Sequence, residues 1–384
     1  MAVFKKYPLL LLFTVFMVVL SVVDPLFSSR VESEMENRKL AQRPQMTLQS
    51  LLAREENQKY SYRYEQYVND QFVGRDAWIT LKSVSESALG KIENNGIVYG
   101  DEHRMFEYYP STDQQRLDMN VEFLTRFTET WQDRIPLTVA LVPSSYMVYV
   151  DDLPAGLPNL DQQAAIQGIY SQFSSRVNTL DLLPMLEGQA EGEDLYYKTD
   201  HHWTTWGAYQ TYRAFVESRG LQAVSWEDLA PLERQVEDFY GTYYSKCKLF
   251  SAQPDTITYF DIPTTSVTVA GEPREGLYDA SKWPVRDKYA AFLWGNNDLM
   301  VIRSDNNLNH RAGETSRILV VKDSYGNSLI PFLTYSYDEI YVVDLRFLTQ
   351  SMTELVSSTQ FDDLLILYSF MNFASDSNLT YLNR

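Results

Sequence analysis

The chain has 384 residues and a formal net charge of −18, from 33 Lys and Arg against 51 Asp and Glu. That balance excludes a phosphate-backbone binder, which needs a basic surface, and leaves polysaccharide, peptide and lipid-linked partners open. With 45% hydrophobic and 22% charged residues the composition is that of a folded globular protein, and the single cysteine, Cys247, excludes an internal disulfide and any cysteine-rich zinc or iron–sulfur site.

The first element is an apolar run from Tyr7 to Val23, preceded by Lys5 and Lys6 and ended by Asp24. A basic flank followed by a hydrophobic stretch marks an export signal. It is short for a membrane span, which takes about 20 residues, yet no clear small-residue cleavage site follows, Ser28 and Ser29 being the nearest. Residues 1–29 therefore read as an uncleaved signal anchor or a cleaved signal peptide, with the body of the protein outside the cytoplasm. Sparse cysteine fits an exported bacterial protein better than a secreted eukaryotic domain, and Cys247 itself reads as a buried small hydrophobe. Residues 30–58 are charged and polar, as in a stalk or linker.

The main domain is expected over 59–384. Tyr64, Tyr67, Val68 and Phe72 fall on one helical face, and Asn94-Asn95-Gly96 signals a turn before a short strand, Ile97–Tyr99. Leu137–Val142 is a continuous β-prone run. Leu160–Val177 has helical periodicity, as has Trp206–Glu217. Arg317–Val321, Glu339–Val343 and Asp363–Tyr368 are further apolar strands, and Ser324–Leu333 is compatible with a helix. Strands separated by helical stretches imply a parallel sheet flanked by helices, an α/β fold. Between about 254 and 302, Thr256–Phe260, Ser266–Val269, Ala290–Leu293 and Leu299–Ile302 alternate as in an antiparallel β insertion.

Two segments carry chemistry. The chain has only four histidines, His103, His201, His202 and His310, and two of them sit in Asp200-His201-His202-Trp203. In an extended segment Asp200 and His202, two residues apart, point the same way. The carboxylate then accepts a hydrogen bond from one ring nitrogen and leaves the other as a general base. Thr204 or Thr205 is placed to cap the next helix. The second segment is Lys322-Asp323-Ser324-Tyr325-Gly326, at the end of a strand and the start of a helix. There a serine hydroxyl projects above the sheet, and backbone N–H groups of Ser324 and its neighbour suit a developing oxyanion. Serine is a poor nucleophile alone and needs a base such as His202. Each segment also has a plain structural reading, a hydrogen-bonded loop cap for the first and a helix cap at Ser324 for the second. An Asp-His-His metal site is a third reading, although His103 and His310 have no helpful spacing.

Together these segments resemble the DHHW family of bacterial surface proteins, whose name is readable as Asp200-His201-His202-Trp203. That family is related to AlgJ and AlgX of alginate O-acetylation, with SGNH-hydrolase-like domains. Glu36-Asn37-Arg38-Lys39-Leu40, Asn69-Asp70-Gln71-Phe72-Val73-Gly74-Arg75, Asn95-Gly96-Ile97-Val98-Tyr99-Gly100, Phe239-Tyr240-Gly241-Thr242 and Asp344-Leu345-Arg346 extend the resemblance over nearly the whole exported chain.

The resemblance implies an SGNH-hydrolase-like fold after an N-terminal membrane-anchor helix. It implies catalytic Asp200, His202 and Ser324, with acid and base preceding the serine, and no cofactor. Lys322 departs from the glycine of the usual hydrolase serine block. Asn296 and Asn297, after Gly295, are the sequence candidates for oxyanion or substrate contacts, with Tyr325 and Trp203 beside them. Arg346 is a candidate for orienting a substrate carboxylate or acetyl group, against the alternative of a surface salt bridge. The function implied is O-acetyl transfer to, or acetyl-ester hydrolysis of, a cell-surface polysaccharide, with a membrane-bound O-acyltransferase as acetyl donor. The alternative is a non-catalytic glycan-binding or scaffolding protein of a polysaccharide modification or export complex, since remnants of a site persist in binding modules.

Overall fold

In a computed structural model of the chain, residues 7–23, 29–189 and 192–384 are described. They form two compact units: residues through Lys91 with Ser245–Ala252, and Ile92–Tyr244 with Gln253–Arg384.

In the first unit the apolar run forms a helix, Pro8–Val23, of 16 residues. No helix among the described residues is long and apolar enough to cross a membrane, and Lys5, Lys6, Asp24 and Ser28 lie outside the described residues. Glu32–Ser33 pairs antiparallel with Arg38–Lys39, and Tyr60–Gln71 and Arg75–Ala88 are helices. On the first of these the expected aromatic face forms a surface row, with the Tyr64 ring 5.7 Å from Tyr60 and 6.0 Å from Tyr67. The two N-terminal motifs hold each other. Arg38 grips Asp70 through two hydrogen bonds of 2.8 and 2.5 Å, and Glu36 lies 2.5 Å from Arg75 and 3.2 Å from Lys248. Burial works to raise the Glu36 carboxyl, but the two cations hold it below its ordinary value.

The second unit is built on one eight-stranded sheet. In chain order its strands are β1 (Leu137–Val142), β2 (Val177–Leu180), β3 (Ser266–Val269), β4 (Glu272–Arg274), β5 (Leu299–Arg303), β6 (Arg317–Lys322), β7 (Glu339–Val343) and β8 (Asp363–Ser369). Their order across the sheet is β4-β3-β5-β7-β6-β8-β1-β2. The five strands from β7 to β2 are parallel, and β5, β3 and β4 continue the sheet antiparallel. The sheet is therefore mixed. Ser266–Val269 and Leu299–Arg303 extend the main sheet itself, because β5 pairs with β7 from Leu299↔Val343 to Arg303↔Glu339. Asp255–Phe260 instead pairs with Glu233–Phe239 in a separate two-stranded sheet.

Ala290–Leu293, expected as a strand, is a 3₁₀ turn, Lys288–Ala291. Leu293, Trp294 and Gly295 follow with φ of 51°, 59° and 80°, which no strand accommodates. The expected helix Leu160–Val177 is shorter, because Asp161 caps it at Ala164 N–H (3.0 Å) and Val177 already belongs to β2. The turn at Asn94–Ile97 joins two antiparallel strands, with Asn95 and Gly96 at φ of 52° and 78°, the left-handed pair that a two-residue hairpin needs.

Helices cover both faces of the sheet. They are α1 (Gln114–Trp131), α2 (Gln162–Tyr170), α3 (Thr205–Ser218), α4 (Gly326–Leu333), α5 (Met352–Ser358) and α6 (Phe370–Ser375). Alternate residues of β6 enter opposite cores. Ile318 and Val320 pack with α3 and α4, and Leu319 and Val321 with α1, α2, α5 and α6. From β6 the chain goes to β7 on one side, and from β1 to β2 on the other, so the loops diverge at the carboxyl ends around β6 and β8. Such a point opens a crevice in α/β sheets. Ile366, fully buried in the second core, tests the packing: Ile366→Ala is expected to lower the unfolding free energy by about 2–5 kcal/mol, measured by urea titration.

Candidate active site

Residues 196–203 form a loop closed by an antiparallel bridge between Tyr196 and Trp203. Its descending arm is tied by Asp255, whose carboxylate accepts from Lys198 N–H (2.8 Å), Thr199 N–H (2.9 Å) and the Thr199 hydroxyl (2.6 Å). Burial outweighs these three donors and pushes the Asp255 carboxyl up to about 6. Its ascending arm runs into α3, where the Thr204 hydroxyl accepts from Gly207 N–H at 3.2 Å. Of the two threonines expected as caps, Thr204 takes the role.

Ser324 follows β6 and precedes the first turn of α4, which begins at Gly326 rather than at Ser324. The turn is set by the buried Asp323. One carboxylate oxygen accepts from Tyr325 N–H (3.0 Å). The other accepts from Ser369 N–H (2.9 Å), the Ser369 hydroxyl (2.7 Å) and Asn372 Nδ2 (3.1 Å), which ties the end of β6 to the end of β8.

The two segments meet. His202 Nε2 lies 2.7 Å from Ser324 Oγ, and His202 Nδ1 lies 2.6 Å from Asp200 Oδ1. A carboxylate only accepts, so Nδ1 carries the proton and Nε2 is left to take the Ser324 hydroxyl hydrogen. Asp200 also accepts His202 N–H (2.9 Å) and Thr242 N–H (2.6 Å). Burial works to raise its carboxyl, but His201, His202 and these donors prevail and hold it well below the usual carboxylate range. Asp200 and His202 are buried, at 2% and 5% exposure, while Ser324 is partly open to solvent.

Two residues of the site have no role in the sequence reading. Tyr289 stacks on the His202 imidazole, with centroids 3.8 Å apart and planes 12° apart. Its hydroxyl donates to the Ser324 carbonyl at 3.2 Å and lies 3.1 Å from Ser328 Oγ. Nothing around Tyr289 in the sequence signals this. Thr242 is part of a motif read as familiar, and the signal was the glycine before it. A Cβ on Gly241 would lie 2.2 Å from Asp200 Cβ and 2.3 Å from its Oδ2, so only glycine lets this backbone reach the carboxylate.

Three candidate contacts prove structural. Trp203 is fully buried, its indole N–H shared between Tyr325 O (3.0 Å) and Ser328 Oγ (2.9 Å), so it positions the turn after Ser324. Tyr325 is buried too; its hydroxyl donates to the His201 carbonyl and its N–H is taken by Asp323, which removes it as an oxyanion donor. Asn297 turns its amide onto the carbonyls of Leu293 (3.2 Å), Trp294 (3.2 Å) and Gly295 (3.4 Å) and holds the left-handed turn. Ser324 N–H has no acceptor among the described residues and is the backbone donor left at this helix N-terminus.

Asn296 lies beside the serine turn, where its Oδ1 accepts from Lys322 Nζ (2.9 Å) and Asn327 Nδ2 (3.2 Å). Lys322 is buried, 3.5 Å from Asp344, and Arg346 grips the same Asp344 through contacts of 2.8 and 2.6 Å. Burial pulls the Lys322 ammonium down to about 8 against the attraction of Asp344.

Asp200, His201 and His202 present ligand atoms within 4.8 Å of one another. In this arrangement both Nδ1 atoms are already engaged, His202 with Asp200 and His201 with Thr242 Oγ1 at 2.7 Å, so holding a metal there would dismantle the relay. His103 and His310 have other neighbours, Gln253 (3.2 Å) and Asp338 (2.9 Å).

Two tests address this geometry. Gly241→Ala is expected to push Asp200 from Thr242 and shift the His202 ring proton resonance, read by NMR. Because the Lys322 pKa is depressed on folding, its contribution to stability is fully present above the ordinary value of 10.5 and is lost as pH falls through about 8. The stability of the wild type relative to Lys322→Met is therefore expected to rise with pH across that window in urea titrations.

The family model for DHHW proteins matches residues 45–343. None of the curated proteins compared with the chain matches it. Among solved structures, a DHHW family protein from Eubacterium siraeum is similar, with a TM-score of 0.64 and 23% identity over 76% of this chain and 96% of that one. Bacillus cereus PatB1 with a sulfonyl adduct gives a TM-score of 0.60 and 20% identity, covering 75% of this chain and 98% of that one. The O-acetyltransferase domain of Pseudomonas putida AlgJ gives 0.45 and 17%, covering 74% and 94%.

Proposed function

The chain belongs to the DHHW family, and from that premise we propose that it is an exported serine O-acetyltransferase or acetylesterase acting on a cell-surface polysaccharide. The observation that carries this reading is the continuous relay from Ser324 Oγ through His202 (2.7 Å) to Asp200 (2.6 Å). Ser324 Oγ attacks the acetyl carbonyl while His202 Nε2 takes its proton. The Ser324–acetyl bond forms, the donor's acyl–oxygen bond breaks, and His202 returns the proton to the leaving oxygen. Asp200 fixes the ring and stabilises the imidazolium. Ser324 N–H faces the developing oxyanion. A sugar hydroxyl, deprotonated by His202, then attacks the acetyl carbonyl; its bond to acetyl forms, the Ser324–acetyl bond breaks and His202 returns the proton to Ser324 Oγ, and water in place of the sugar makes the reaction a hydrolysis.

The partners belong to the same reading: a cell-surface polysaccharide as acceptor and a membrane-bound O-acyltransferase as source of acetyl groups. The protein acts outside the cytoplasm, held at the membrane by its N-terminal apolar segment or released by cleavage.

Bacillus cereus PatB1 has been solved with a sulfonyl adduct, and a sulfonyl fluoride is a suitable probe here. It is expected to modify Ser324 in the wild type and to leave Ser324→Ala unmodified, read by mass spectrometry. Ser324→Ala and His202→Ala are expected to lower the turnover of p-nitrophenyl acetate by roughly 10³-fold or more, and Asp200→Asn by roughly 10³–10⁴-fold, with folding intact by circular dichroism. Wild-type rates in Ser324→Ala and His202→Ala would overturn the reading. An inert Ser324 with retained glycan affinity would return the protein to the non-catalytic alternative.

A further inference from the structure

A cleft with a volume of about 820 Å³ lies against the catalytic loop. It lies between that loop, the start of α3 and the two-stranded sheet of Glu233–Phe239 and Asp255–Phe260. Trp206 and Trp226 supply its aromatic wall, with Tyr197 buried behind it. Trp206 and Trp226 are half-buried and lock each other edge to face at 4.7 Å, so their rings are held rigid. Gln235 and Gln253 add amides that both donate and accept. Rigid aromatic faces beside polar side chains are what a pyranose ring needs, with its C–H face on one side and its hydroxyls around the edge.

The charge of the lining selects among sugars. Two carboxylates, Glu193 and Glu233, line the cleft with one lysine, Lys198; Asp194 is paired with Arg104, and the Asp255 carboxylate is turned onto the catalytic loop. An acidic sugar entering it would meet like charge at short range.

The cleft is coupled to the relay by contact. The Tyr197 ring meets Tyr289 edge-on at 6.4 Å, and Tyr289 stacks on His202. Asp255, in the cleft wall, is also the anchor of Lys198 and Thr199, just before Asp200.

We infer that this cleft is a sugar-binding subsite for a pyranose without acidic substituents. The inference rests on the proposed action on a polysaccharide and narrows it: the unit of the chain held in this cleft is neutral or amino-bearing rather than a uronate.

The test uses the full chain with cellotriose as the neutral probe and trigalacturonate as the acidic one, by isothermal titration calorimetry. Cellotriose is expected to bind in the millimolar range or tighter, and at least about tenfold more tightly than trigalacturonate. Trp226→Ala, and separately Gln235→Ala with Gln253→Ala, are expected to weaken cellotriose binding at least about fivefold, with p-nitrophenyl acetate turnover unchanged. The paired glutamine variant guards against loss of fold in the tryptophan variant. Equal or tighter binding of trigalacturonate, no binding of cellotriose, or cellotriose binding untouched in both folded variants would each overturn the inference. Failure of the enzymatic reading appears separately, as an inert Ser324 in the turnover assay, and leaves the calorimetric result readable.

Discussion

The site depends on one buried carboxylate. Asp200 lies at the tip of its loop with almost no exposure, and an uncompensated charge there would be strongly destabilising. It is tolerated because donors converge on it from its own loop and from the 240s: His202 Nδ1–H, His202 N–H and Thr242 N–H. The same bonds that keep the charge in place aim the imidazole, so the charge and the ring geometry have one cause. Gly241 admits the donor at position 242, Asp255 anchors the approach to the tip, and Trp203 fixes the opposite turn. A loop that could stand as a structural cap thus becomes half of a hydrogen-bonded relay once Ser324 is brought to the remaining ring nitrogen.

Much of this was legible in the residues. The spacing of Asp200 and His202 was enough to foresee a carboxylate orienting an imidazole, and the strand-then-serine pattern at 317–324 placed the hydroxyl at a carboxyl edge. The long apolar runs at 137, 317, 339 and 363 marked the buried parallel strands, because strands covered on both faces need no polar alternation. The neighbours of the relay were less legible. Tyr289 stacks on His202 from a 3₁₀ turn, Lys288–Ala291, that runs into the segment where alternation suggested a strand. Trp203, Tyr325 and Asn297 look in the sequence like groups that meet a substrate; burial of the first two, and the hydrogen bonds of Asn297 to its own turn, make them support for the turns they belong to.

The departure at Lys322 has a local account. Where a glycine would leave space, a buried ammonium lies between Asn296 and Asp344. Arg346 completes that cluster from partly exposed ground. The motif Asp344-Leu345-Arg346 is therefore one half of a charged clasp whose other half is the residue two before the serine. A resemblance carried by letters becomes a contact between the ends of two neighbouring strands.

The order of the segments along the chain bears on how the protein matures. Asp200 and His202 are made first, and Ser324 arrives 122 residues after His202, just past a strand flanked by β7 and β8, both later still. Pairings of such long sequence separation close slowly. A partly synthesised chain therefore holds the His202 imidazole without its Ser324 partner until the strands around β6 have paired. Completion of the fold is itself the step that joins the two halves of the relay.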